Sequence, residues 1–113
     1  MVPDEVGGDV EVIDQNPGKD EEMAGRPFVG PTGIEMERTY LPLAGLGRED
    51  VTIRNAIRCR MHGTNTLPPV EEKVTRAIIA HCRVHDTPAP TPRLTITQGA
   101  YSLYKATGET QPT

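Results

Sequence analysis

The sequence predicts an α/β chain in which a short parallel sheet of three strands lies between helical layers. Three observations predict it. Apolar, strand-like runs occur at 10–13, 51–57 and 93–97, each bounded by Gly, Pro or Asn. Each is followed by a stretch with helical spacing, at 34–44, from Pro68-Pro69 onward and at 100–106. Strand and helix thus alternate three times, the order that produces right-handed crossovers and covers both faces of a parallel sheet.

Taken in order, residues 1–9 are acidic and Gly-containing and are expected to fray. Val10, Val12 and Ile13 supply the first strand, which must end at Pro17 and Gly18, because Pro has no N–H for the ladder and Gly tolerates positive φ. A long loop, 18–33, carries Phe28. Ile34, Met36, Tyr40 and Leu41 give the next helix its inward face, Pro42 shortens or kinks it, and Gly45 and Gly47 stop it. After the second strand comes a loop at 60–69. The following helix begins at Pro68-Pro69, carries Glu71 and Glu72 in its first turn, and buries Val74, Ala77, Ile78 and Ala80. TPAPTP at 87–92 is an extended linker, and the last strand and helix close at Gly108.

The chain has 113 residues, enough for one domain with a modest core. Hydrophobic content is 35%, there is one Phe and no Trp, and 11 Gly with 11 Pro imply much loop. No stretch approaches the roughly 18 apolar residues of a membrane span and no charged-then-apolar leader opens the chain, so an intracellular, cytoplasmic protein is expected, not a membrane or secreted one. The net charge of −4 is unevenly spread: residues 1–50 hold 12 acids and 4 bases, residues 51–113 hold 4 acids and 8 bases. Arg54, Arg58 and Arg60 read either as solvent-facing arginines or as phosphate contacts.

The chemistry-bearing stretch is 10–30, VEVIDQNPGKDEEMAGRPFVG. A strand that stops in a Gly-containing turn presents its next residues at the carboxyl edge of the sheet, where open α/β folds bind ligands. By residue type alone, Asn16-Pro17-Gly18 is a turn, Asp20-Glu21-Glu22 a solvated acidic turn, Phe28 a loop anchor or a stacking platform, and Asn55 a strand-end cap or a base reader. Cys59-x-x-His62 and Cys82-x-x-His85 have the spacing of a tetrahedral zinc site, or are two reduced thiols beside surface histidines.

Asp14-Gln15-Asn16-Pro17-Gly18, the acids at 20–22, and Gly25-Arg26-Pro27-Phe28-Val29-Gly30 together resemble the first motif of the uracil-DNA glycosylase superfamily. The nearest pattern is that of its iron–sulfur family 4 branch, G-E-x-P-G followed by G-R-P-F-V-G. Val51 to Arg60 resembles the same family's strand with a uracil-reading Asn followed by a cluster Cys. The resemblance implies a four-stranded sheet, of which three strands are visible, and excision of uracil or a related deaminated base from DNA by a monomer or part of a longer chain.

It further implies that Phe28 stacks on the extruded pyrimidine and that Asn55 pairs with uracil O4 and N3–H. Asn16 or Gln15 holds water near the sugar C1′, with Asn16 favoured, and the turn at Pro17 and Gly18, with Glu21, completes the substrate wall. No cofactor is required for the chemistry. Cys59 and Cys82 would be two of four ligands to a 4Fe–4S cluster. Three departures stand out: Gln15 replaces the family's Glu, Asn16 resembles the Asn-Pro-Gly of the single-strand-selective and mismatch types, and a later His-containing motif has no counterpart. The alternative functions are a catalytically incomplete module that binds DNA or a partner, and a small zinc-stabilised structural domain.

Overall fold

Val10, Val12 and Ile13 are almost fully buried because β1 (Val10–Asp14) is the middle strand of the sheet. In the computed structural model, which describes residues 1–60 and 69–108, β1 pairs in parallel with β2 (Val51–Asn55) on one side and β3 (Leu94–Thr97) on the other. Between them lie α1 (Lys19–Ala24), α2 (Pro31–Glu35), a π-helical turn at Met36–Tyr40, α3 (Leu41–Leu43) and α4 (Lys73–Arg83); α5 (Ala100–Thr107) follows β3.

The sheet separates two cores, because strand side chains alternate between faces. Val10, Val12, Val51 and Ile53 pack on one face with Phe28 and Leu41. Ile13 packs on the other with Ala56, Ile57, Val70, Ile79, Cys82 and Tyr101. Each fully buried aliphatic or aromatic side chain contributes about 1.5–3 kcal/mol. The expected three-layer α/β arrangement is therefore present, with three parallel strands in the order β2-β1-β3.

Several local expectations are revised. The loop at 18–33 contains a helix, α1, closed by Gly25 in the left-handed conformation (φ 66°). The helix over 34–44 is not one regular α-helix: Leu41 N–H bonds to Met36 C=O across a wide turn immediately before Pro42, whose missing N–H and bulky ring resist regular winding. Leu41 is buried as expected, but Ile34 and Tyr40 are exposed. In α4 the buried side is Thr75, Ile79 and Cys82, whereas Val74 is exposed. Cys behaves there as a small hydrophobe, and counting it as one rotates the inward face onto the i, i+4, i+7 set. The helix begins at Lys73, after Glu71 and Glu72; Pro68 and most of the 60–69 loop lie outside the described residues.

Residues 2–5 are laid along the sheet and bonded to it. Glu5 and Ile53 form an antiparallel bridge with N–H···O distances of 3.0 and 2.8 Å along the outer edge of β2, and Val2 N–H donates to Arg58 C=O at 2.9 Å. The fully buried Asp4 carboxylate pairs with both Arg54 and Arg58. Arg54 also pairs with Glu11 at 3.1 Å and Arg58 with Asp86 at 2.7 Å, and Lys105 bonds Asp86 at 2.9 Å. Arg54 and Arg58 are thus interior, and of the three arginines read as surface or phosphate-contacting groups only Arg60 retains much exposure. Among the described residues no helix is long and apolar enough to cross a membrane.

Removing Asp4 leaves two buried guanidinium groups short of a counter-charge. Asp4→Ala is expected to lower unfolding free energy by about 3–5 kcal/mol in urea titrations followed by circular dichroism. Burial raises the Asp86 carboxyl, but Lys105 and Arg58 outweigh it and hold the group below its ordinary value. Its stabilising contribution is therefore complete above about pH 4 and is lost as pH falls through the depressed value. Asp86→Asn should flatten that acid limb.

Candidate functional site

The turn after β1 and the GRPFVG loop are joined by one carboxylate. Glu21, at the third position of α1, accepts the Gly18 N–H on Oε1 at 2.9 Å. Its Oε2 accepts the N–H groups of Val29 at 2.8 Å and Gly30 at 2.5 Å. The side chain is buried, so the acidic run at 20–22 is not simply a solvated turn. Burial pushes its pKa up, yet the three N–H groups outweigh that and hold it below the usual carboxylate value.

Arg48 grips the same loop from the other side. Its guanidinium donates to the carbonyls of Phe28 at 2.9 Å and Pro27 at 2.5 Å, and pairs with Glu5 at 2.7 Å. Between these clamps Phe28 has φ 57°, a left-handed conformation that costs an aromatic residue on the order of 1–3 kcal/mol. Gly33 allows the close approach: a Cβ there would lie 1.9 Å from the Phe28 carbonyl oxygen.

Phe28 is buried, packed on the Val10, Val12 and Ile53 face of the sheet, and it also borders a cavity of about 220 Å³. The ring is therefore both a core anchor and a cavity wall. The other walls are Asp14, Gly18, Lys19, Asp20, Glu21 and the 30–33 segment. This volume is below the ~300–1,000 Å³ of sites for drug-sized ligands and suits one small flat heterocycle.

Asn55 stands opposite Asp14 in the β1–β2 register. Because Val51 and Ile53 share its parity, Asn55 belongs to the Phe28 face. It is 1% exposed, and neither its carboxamide oxygen nor its nitrogen has a hydrogen-bond partner among the described residues. An orphaned buried amide is costly.

Residues 5–109 match the uracil DNA glycosylase superfamily. The chain belongs to that family. It is 37% identical over 75 residues to the Type-4 uracil-DNA glycosylase of Saccharolobus solfataricus, covering 65% of this chain and 34% of that protein. It is 38% identical over 60 residues to the Thermotoga maritima enzyme of the same name, covering 53% and 31%, and 39% identical over 64 residues to that of Archaeoglobus fulgidus, covering 57% and 31%. The chain spans about a third of the length of these relatives.

Within this glycosylase-family domain, Phe28, Gly18 and Glu21 border one cavity; Asn55 lies on the same face of the sheet, next to Asp14 in the register, but is not one of the cavity's walls. Pro17 is buried in the turn. The Gly18 N–H and both Glu21 oxygens are committed to each other and to the loop. Asn16 and Gln15 do not border the cavity: Asn16 Nδ2 lies 3.5 Å from its acceptor, Pro17 C=O, and Gln15 Oε1 sits against Gly99. Two residues emerge that sequence reading passed over, Asp14 and Arg48. The alternation that put Val10 and Val12 on one face also puts Asp14 there, at the carboxyl end of the strand. Nothing local marks Arg48, which acts across 20 residues of chain.

The thiols do not form a pair of ligands with the histidines among the described residues. Cys82 is buried in the apolar cluster with Ile79 and Tyr101, Cys59 is exposed, and the His85 ring stands edge-on to His81 at 5.6 Å. His62 lies outside the described residues. Among the described residues no group of three His, Cys, Asp or Glu side chains is placed to hold a metal ion. The described residues do not supply the ligand set of a cluster or a zinc ion.

Glu21→Gln replaces one acceptor oxygen by a donor and should open the loop without unfolding the chain. Amide exchange at Val29 and Gly30 is expected to rise roughly ten- to a hundredfold, with β1 amides unchanged.

Proposed function

We propose that this chain recognises uracil, or a related deaminated base, extruded from DNA inside the cell, and hydrolyses its N-glycosidic bond. The observation that carries this reading is the Asn55 carboxamide, buried and unpartnered on the face that also holds the Phe28 cavity. An amide offers one donor and one acceptor side by side, the complement of uracil O4 and N3–H; cytosine presents an amino group and a bare N3 and is refused by the same orientation. Phe28 supplies an apolar surface for the pyrimidine face, held rigid by Glu21 and Arg48. Asn16, at the turn beyond β1, contributes an amide toward the water side of the sugar.

The reaction is dissociative. The C1′–N1 bond breaks with its electron pair moving to uracil N1, an oxocarbenium-like sugar forms, and water adds at C1′. Backbone dipoles fixed around the base offset the developing negative charge.

The test is alkali cleavage of uracil-containing single- and double-stranded oligonucleotides. Wild-type chain should cut at uracil and not at cytosine, and Asn55→Ala should lose roughly a hundredfold or more in rate, with a smaller loss for Asn16→Ala. Binding of uracil-containing DNA with no cleavage would identify a recognition module instead. Absence of both would overturn the proposal.

A further inference from the structure

Water addition to the sugar requires a group that can take a proton, and neither Asn16 nor Gln15 has one to offer: a carboxamide orients water but is not a base at neutral pH. Three carboxylates border the cavity. Glu21 spends its charge on the N–H groups of Gly18, Val29 and Gly30, and protonation would weaken all three of those bonds. Asp20 is exposed on α1. Asp14 differs from both. It closes β1, faces the cavity wall shared with Phe28, and stands in register with Asn55. Its Oδ1 accepts the Gln15 N–H at 2.9 Å, which fixes the carboxylate plane, while Oδ2 has no partner among the described residues.

Resting on the glycosylase reading, we propose that Asp14 is the base of the hydrolysis, its Oδ2 orienting the attacking water and receiving its proton. The water oxygen forms the new bond to C1′ as the sugar cation collapses, and the O–H pair left by the departing proton neutralises that oxygen. The proton on Asp14 then passes to the uracil anion or to solvent, regenerating the carboxylate. Net consumption is one water, and the products are free base and an abasic sugar.

The surroundings suit a base. Burial raises the Asp14 carboxyl above its ordinary value, the Gln15 N–H works against this, and the nearby Glu21 charge adds to it. Lys19, Asp20 and Glu21 of α1 are the charged groups around the cavity, and β2 presents only the neutral Asn55 beside Asp14. On α5, Tyr101 packs on the opposite face of the sheet and Lys105 is held by Asp86.

The deciding experiment measures single-turnover cleavage of a uracil oligonucleotide from pH 4 to 8, with binding of the same oligonucleotide by fluorescence anisotropy. Wild type, Asp14→Asn and Asp14→Glu are compared, with circular dichroism confirming that each folds. Asp14→Asn should bind as wild type does but cleave roughly 10²–10⁴-fold more slowly, and its rate should lose the acidic limb along which the wild-type rate falls as Asp14 is protonated. Asp14→Glu, which restores a carboxylate, should recover part of the rate and the limb even if Asp14→Asn folds poorly. Equal rates and equal pH profiles in wild type and Asp14→Asn overturn the assignment and leave the glycosylase reading intact. Wild type that binds without cleaving overturns the assignment together with catalysis. Wild type that neither binds nor cleaves overturns both.

Discussion

The parallel register between β1 and β2 sets the site. Val10 opposite Val51 and Val12 opposite Ile53 force Asp14 opposite Asn55, and a strand's two-residue period then puts both polar side chains above the core occupied by Phe28. A slip of one residue would turn Val10, Val12 and Asp14 to the other face and separate the carboxyl from the amide. Four nearly fully buried aliphatic side chains, Val10, Val12, Val51 and Ile53, oppose that slip. The pairing that stabilises the sheet is thus the same one that positions its polar end.

The loop over the site is held by opposed charges. Glu21 collects N–H groups from the turn and from the far end of the loop, and Arg48 collects carbonyls from its middle. Together with the bare Gly33 they hold Phe28 in a backbone conformation that an aromatic residue does not choose unaided. The polar atoms nearest the ring are consequently engaged, whereas the Asn55 amide is not. That contrast distinguishes Asn55 from the residues that hold the loop more sharply than residue type does.

The α/β class, the three strands and the closing helix were legible because they depend on local alternation and on Gly and Pro. That Phe28 and Asn55 lie on one face of the sheet follows from strand alternation and register, which the two motifs alone do not give. What was not legible depends on distant charge. Arg54 and Arg58 alternate with apolar residues as solvent-facing arginines do, and only the carboxylates of Asp4, Glu11 and Asp86, 28 to 54 positions away, make their burial tolerable. Cys82 packs in the apolar cluster on α4, a placement its sulfur alone does not signal. Asp14 was overlooked because a strand's last residue reads as the start of a turn.

The buried Asp4 also bears on how the chain is made. During synthesis it must remain hydrated until Arg54 and Arg58, some fifty residues further along the chain, have been made, and its network closes only when Asp86 and Lys105 arrive. β1, the middle strand, likewise waits for both of its neighbours. Docking of the amino-terminal segment is therefore a late event in biosynthesis, and until then the apolar first strand is exposed to chaperones and to other nascent chains.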